Sequence, residues 1–360
     1  MFWIILAGVL ALPALLVLVV TTPLVALLSL PSAYLLLGRK KQTRPSSSES
    51  IITNDNSHVI ITGGSSGIGL AIATCAAQRP TVTKITILAR NKERLQQAKH
   101  EIQQASHPRK DLVVETVSVS VCDAKALKDC ATKLFHNESP RRVFLFCCAG
   151  EPLPAKFQDI EAEQYANIVQ VNQLGVIYTV HAFLPYMKAG TISLCSSAAG
   201  QAGVFGYSAY SPTKFGLRGF AECLHQELMK PEHANVHIQV AYPPDTETPG
   251  FAKENIAKPE ETKLISQAAG LLKPEQVGNV MLDEAMADHP RFNVYFNFDG
   301  FLLSILTAGF EPVTSLGNAV AQLSAMTFTR WIALFYLQIW YGLIHSVPSQ
   351  TESVNAKKQS

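Results

Sequence analysis

The chain has 360 residues, enough for one large α/β domain with appendages or for two small domains. Its 30 Lys and Arg nearly cancel its 28 Asp and Glu, so nothing suggests a polyanionic partner and no nucleic acid is expected. Hydrophobic residues make up 48% and charged ones 16%, an apolar balance for a soluble protein, and the excess sits at the two ends.

Phe2 to Gly38 contains no charged residue, and its apolar run, broken at Thr21-Thr22-Pro23, exceeds the roughly 20 residues a helix needs to cross a bilayer core. The basic start and short apolar stretch of a cleaved signal peptide are missing. Residues 1–38 are therefore expected to be a retained anchor, as one crossing or as a hairpin bent at Pro23. Arg39, Lys40, Lys41 and Arg44 follow at once, and the positive-inside rule puts the next segment in the cytosol. Residues 39–57, charged and rich in Ser and Asn, read as a linker.

Beyond the linker, β-branched runs alternate with helical-period segments. HVIITG precedes GLAIATCAAQ, KITILAR precedes KERLQQAKHEIQQA, and LVVETVSVSV precedes AKALKDCATKLF. RVFLFCCAG, the long EQYANIVQVNQLGVIYTVHAFLPYM, TISLCSS, a helix through FGLRGFAECLHQELM, and VHIQVAYP complete the series. This alternation predicts an α/β fold, a doubly wound parallel sheet of Rossmann type, as a single domain over residues 58–296.

The first of these strands runs into Thr62-Gly63-Gly64-Ser65-Ser66-Gly67-Ile68-Gly69 and then an Ala-rich helix, the context in which a glycine-rich turn holds a dinucleotide. Gly63 suits the tight turn, Gly67 lets the backbone approach a pyrophosphate, and Gly69 allows close packing of helix on strand. The helix N-terminus would face the phosphates. A purely structural turn is the alternative. The second strand ends in Arg90, where an NAD enzyme presents Asp or Glu to the ribose. Arg90, with Arg94 and with Ser65 of the glycine loop, suits a 2′-phosphate, so NADPH/NADP is expected over NAD, and Ser66 of the same loop is a further candidate cofactor contact. Asp123, after the third strand, can accept from an adenine amino group or cap the next helix.

The chemistry is carried by Ser197, Tyr210 and Lys214. A Tyr-x-x-x-Lys spacing stacks both side chains on one helix face. The ammonium is expected to lower the Tyr210 pKa from about 10, making the phenol a usable general acid at neutral pH. Ser197, just past a strand, can hydrogen-bond a reacting carbonyl. With the glycine loop and Asn172 in VNQLG, this set resembles the short-chain dehydrogenase/reductase family over about residues 58–250. The resemblance implies that Tyr210 gives or takes the proton and that Lys214 also binds the nicotinamide ribose. It further implies that Ser197 orients the carbonyl and that Asn172 supports a water relay. One departure is Cys147-Cys148-Ala149-Gly150, where the family commonly has Asn-Asn-Ala-Gly. These cysteines are expected to pack as small buried hydrophobes, with a redox-switching pair as the alternative.

Within the family, GGSSGIG, ARNKERL, YPPDTETPGF and ETKLIS between apolar ends resemble a branch that reduces a long-chain amino-ketone at the endoplasmic reticulum. That implies a long-chain lipid ketone as substrate and membrane lipid as neighbour, and leaves a homo-oligomer open. Reductases of 3-ketoacyl thioesters, retinoids or steroids would share the same catalytic residues, whereas the complete catalytic set argues against the remaining alternative, a silent NADP-binding scaffold. In this fold Tyr242–Gly250, YPPDTETPG, lies over the nicotinamide end, where Thr246 and Thr248 can contact the carboxamide and phosphate. Asp245, or second Glu247, is the candidate partner of a substrate ammonium; capping the turn before Pro249 is the alternative.

All seven cysteines lie between the apolar ends and read as free thiols. No Cys/His spacing suggests a metal, and His233 and His237 read as structural. Residues 297–348 are expected to form an apolar membrane-associated or re-entrant segment, with Glu311 and Arg330 the only acid and base between 301 and 346. The polar tail, 349–360, ends in Lys357-Lys358-Gln359-Ser360, which resembles a dilysine retrieval address read in the cytosol. The expected location is the endoplasmic reticulum membrane, with the catalytic domain facing the cytosol.

Overall fold

The computed structural model describes residues 56–106, 109, 111–136, 140–267 and 270–307, with isolated positions between 315 and 346. Two units make up the chain, and nearly all described residues belong to the one formed by Ser50–Ser304 with Leu337–Ser360. Of the other, Met1–Glu49 with Ile305–Tyr336, only the end of the last helix and two isolated positions are described.

The chain builds β1 (Ser57–Thr62), α1 (Gly67–Ala77), β2 (Val82–Ala89), α2 (Lys92–Ala105), β3 (Val113–Ser118), α3 (Ala124–Phe135) and β4 (Arg142–Cys147). Next come α4 (Ala162–Val169), α5 (Gly175–Phe183), β5 (Gly190–Cys195), α6 (Tyr210–Glu227) and β6 (Val236–Ala241). A parallel seven-stranded sheet results, in the order β3-β2-β1-β4-β5-β6-β9, whose last strand is the short β9 (Asn293–Val294). The expected doubly wound sheet is therefore present. β9 lies outside the expected strands because two residues are too few to show any alternation.

Burial on both faces explains why the central strands read as continuous apolar runs. Along β1, Val59 and Ile61 point to one layer and Ile60 to the other; along β4, Phe144 and Phe146 oppose Val143 and Leu145. The first layer packs on α1, α2 and α9 (Pro274–Met286) through Ile72, Leu95 and Leu282. The second packs on α3, α5 and α6 through Leu127, Phe183 and Leu217. At about 25 cal/mol per Å² of apolar surface, these two layers supply the main drive to fold.

The YPPDTETPG segment is more ordered than an irregular stop. Asp245–Thr246 forms β7, paired in parallel with β8 (Leu271–Leu272), and Thr248 then caps α7 (Pro249–Ala257), accepting from the Phe251 N–H at 3.0 Å. Helices α8 (Glu260–Gln267) and α10 (Phe298–Leu306) complete the fold. Residues 1–38, most of the linker, most of 297–348 and the tail lie outside the described residues. Among those described, no helix is long and apolar enough to cross a membrane.

Candidate active site

The sheet order reverses between β1 and β4, and a crevice opens there at the carboxyl ends of the strands, where α/β sheets bind ligands. The cleft has a volume of about 880 Å³. Its floor is the glycine loop, its wall the ends of β4 and β5, and its roof β7 with α7.

Gly63 turns the chain out of β1 with φ +70, and a side chain there would meet the Ala149 backbone nitrogen at 2.8 Å. Gly69 permits the closest approach: an added Cβ would lie 2.5 Å from the Gly63 carbonyl oxygen. The loop is thus a bare-backbone cradle at the N-terminus of α1, and Gly63, Ser65, Ser66, Gly67 and Gly69 all line the cleft. A dinucleotide pyrophosphate fits this cradle because it offers bare glycine backbone and the Ser65 and Ser66 hydroxyls at a helix N-terminus. Arg90 and Arg94 line the same end. The Arg90 guanidinium bonds Glu151 at 2.7 Å, but with the two side chains 70% and 49% exposed this pair is weak enough for a phosphate to displace. Asp123 caps α3, accepting from Ala126 N–H at 2.9 Å through Oδ1, and is not among the cleft-lining residues, although the neighbouring Cys122 is.

Tyr210 opens α6, and Pro212 is tolerated because it falls in the first turn, where N–H groups have no helical partner. Lys214, one turn on, is buried beneath the phenol, its Nζ 5.6 Å from the Tyr210 ring centre. The ammonium donates to the Cys195 carbonyl at 2.9 Å. Ser197 leaves the end of β5 in extended backbone and accepts from the Ala199 N–H at 3.1 Å. Ser197, Tyr210 and Lys214 all face the cleft.

The pKa of Tyr210 is shifted in the direction opposite to the expected one. Burial pushes the phenol well above its ordinary value, and the Glu254 carboxylate pushes it further, while a hydrogen bond with Ser197 pulls down. The Lys214 ammonium does not offset this. It is itself pushed down by burial, and its hydrogen bond goes to a backbone carbonyl. Tyr210 therefore holds its proton at neutral pH.

Asn172 sits in a π-helical turn, Gln170–Leu174, between α4 and α5, a distortion frequent at functional sites. Fully buried, it accepts from Glu151 N–H at 2.8 Å and donates to Glu151 C=O at 2.9 Å and to Thr213 Oγ1 at 3.3 Å. Both N–H donors are engaged, and Asn172 is not among the cleft-lining residues. These bonds clamp the segment after β4 to α6. Of the cysteine pair, Cys147 is buried as expected, but Cys148 borders the cleft beside Cys195. All seven cysteines are free thiols.

Thr246 lines the cleft, its hydroxyl donating to Pro244 C=O at 2.9 Å, and Thr248 stands over Gly67. Asp245 also lines it, but its Oδ2 is taken by Lys258 at 3.4 Å and by the Ser266 hydroxyl. Glu247 is exposed and is not among the cleft-lining residues. The acid that sequence reasoning missed is Glu254 on α7, bonded to Tyr207 O–H and 3.3 Å from Lys258. Its only sequence signal was the i,i+4 spacing to Lys258, which occurs on many surface helices. His233 lies in a 3₁₀ turn and His237 in β6, and no cluster among the described residues could hold a metal ion.

Residues 57–259 match the family model of short chain dehydrogenases. The chain belongs to the short-chain dehydrogenase family. Among relatives of this short-chain dehydrogenase, 3-dehydrosphinganine reductase of Danio rerio is 41% identical over 305 residues, covering 84% of this chain and 90% of that protein. The 3-ketodihydrosphingosine reductase of Bos taurus is 43% identical over 283 residues, covering 78% and 83%. Among solved structures, an alcohol dehydrogenase from the archaeon Thermococcus sibiricus, complexed with 5-hydroxy-NADP, shares the fold. It is 23% identical, with a TM-score of 0.54, covering 66% of this chain and 95% of that one.

Proposed function

We propose that this short-chain dehydrogenase uses NADPH to reduce the 3-ketone of 3-ketodihydrosphingosine, giving dihydrosphingosine (sphinganine) for sphingolipid synthesis. The observation that carries the proposal is the convergence of Ser197, Tyr210 and Lys214 on one cleft with the glycine cradle, in a chain 41% and 43% identical to proteins named for that reaction. Arg90 and Arg94 at the ribose end support the phosphorylated cofactor.

When bound, NADPH supplies a hydride to the carbonyl carbon. The chain's own residues handle the oxygen. Ser197 O–H orients it, and Tyr210 delivers the proton it has retained. An alkoxide is more basic than even a raised phenol, so this transfer runs downhill despite the burial of Tyr210. The Lys214 ammonium then sits beside the phenolate left behind. The Glu151 backbone, clamped by Asn172, holds the wall opposite α6 so that this geometry does not drift.

The enzyme is proposed to act at the endoplasmic reticulum membrane with its catalytic domain in the cytosol. Residues 1–38 would anchor it and the apolar stretch within 297–348 would associate with lipid; the substrate's long chain gives a reason for that placement. The test is NADPH oxidation with 3-ketodihydrosphingosine beside a 3-ketoacyl thioester and a retinal, with the lipid product identified by mass. Preference for the amino-ketone is expected. Preference for the thioester or retinal would overturn the assignment.

A further inference from the structure

Acids outnumber bases in the cluster around Lys258. Lys258, with a side chain of 0% exposure, faces both Asp245 and Glu254, at 3.4 and 3.3 Å. Ser266 closes the set, accepting from Lys258 at 3.0 Å and donating to Asp245. Two carboxylates thus share one ammonium, and within this partly dry cluster the acids exceed the base by one.

The excess charge has a definite outlet. Both protein partners of Glu254, Tyr207 O–H and Lys258, take the same oxygen, Oε1. Oε2 has no donor among the described residues, while the side chain is only 15% exposed and lines the cleft. The ring of Tyr207 lies 5.3 Å from that of Tyr210, so the carboxylate is one phenol away from the proton donor. Asp245 is the weaker candidate, since it bears less strongly on Tyr210 than Glu254 does.

We infer that Glu254, through Oε2, pairs with an ammonium group on the carbon adjacent to the reacting ketone and thereby selects amino-ketones over plain ketones. This rests on the substrate reading above. An α-ammonium nitrogen is two bonds from the carbonyl carbon, so a ketone oxygen held by Ser197 and Tyr210 places the amine beside the neighbouring acid. The pairing would act a second time. Neutralising Glu254 removes a charge that holds the Tyr210 proton more tightly, so the correct substrate eases its own protonation.

The test compares 3-ketodihydrosphingosine with a des-amino ketone of equal length, for wild type and Glu254→Gln, with NADPH affinity by fluorescence titration as the folding control. The expected result is that Glu254→Gln lowers kcat/KM on the amino-ketone at least tenfold more than on the des-amino ketone. Equal losses, or none, would overturn the inference while leaving the assigned reaction intact. If wild type does not reduce the amino-ketone at all, the substrate reading fails and this inference with it. A second arm uses wild type alone, so that a folding defect in the variant cannot blur the outcome. Dihydrosphingosine should inhibit at least tenfold more strongly than the same diol lacking its amine, and equal inhibition would overturn the inference.

Discussion

Replacing Lys258 with Met removes the one cation that, among the described residues, bridges Asp245 and Glu254. At an effective dielectric near 20, each contact at about 3.4 Å carries roughly 5 kcal/mol of attraction, and desolvation of the ions opposes much of it. Breaking a buried pair by deleting one partner costs about 3–5 kcal/mol, because the remaining charge stays buried. Here two remain, with exposures of 25% and 15%. For a domain of this size, such a loss lowers Tm by roughly 6–20 °C. Burial already raises the Glu254 pKa, and its folded state binds a proton more readily than its unfolded state. The deficit of Lys258→Met should therefore shrink as pH falls toward the ordinary carboxylate range, where Glu254 becomes neutral. The assay is a thermal melt in detergent at two pH values, run as a double-mutant cycle with Glu254→Gln. In the Glu254→Gln background the cost of losing Lys258 should fall by at least 1 kcal/mol. A melt within 2 °C of wild type, or full additivity in the cycle, would refute the shared-cation account.

Gly69→Ala should weaken NADPH binding by about 10- to 100-fold, since its Cβ would fall 2.5 Å from a backbone oxygen. Gly219→Ala, in the interior of α6 with nothing within 4 Å, should instead stabilise by about 0.5–1 kcal/mol. Fluorescence titration and urea melts distinguish the two. Arg90→Asp should cut the preference for NADPH over NADH by about tenfold or more, measured as a ratio of kcat/KM values; an unchanged ratio would remove Arg90 from the phosphate site. His58, buried and bonded to Thr86 at 2.8 Å, is held neutral down to about 3, first by burial and then by Lys84. Its folded pKa is depressed, so the stability it contributes is present above the unfolded value near 6.5 and is lost as pH falls toward 3, at about 1.4 kcal/mol per unit. Urea unfolding of His58→Gln between pH 7 and 5 should show a flatter acid slope than wild type.

The strands β1 to β6 were legible because each is a short run rich in β-branched or large apolar residues, most of them buried on both faces, and helix-period segments separate them. The glycine loop and the Tyr210–Lys214 pair were legible for a similar reason: their chemistry depends on spacing along one element. What escaped was set by tertiary encounter. Asp245 and Glu247 looked alike in the sequence, yet pairing of β7 with β8 sends one toward Lys258 and the other to solvent. Glu254 gave no local sign, because its role comes from meeting Tyr207, which lies 47 residues away. The pKa of Tyr210 was misjudged on the same ground. Its lysine neighbour was visible in the spacing, whereas its burial and the facing carboxylate were not.

The central claim is that Tyr210 supplies the proton to a long-chain ketone. The direct measurement is kcat for reduction of 3-ketodihydrosphingosine by Tyr210→Phe, with NADPH affinity determined on the same preparation. The account predicts a loss of about 10²- to 10⁴-fold in kcat with NADPH still bound. Turnover within a few-fold of wild type, with the cofactor equally well bound, would contradict it.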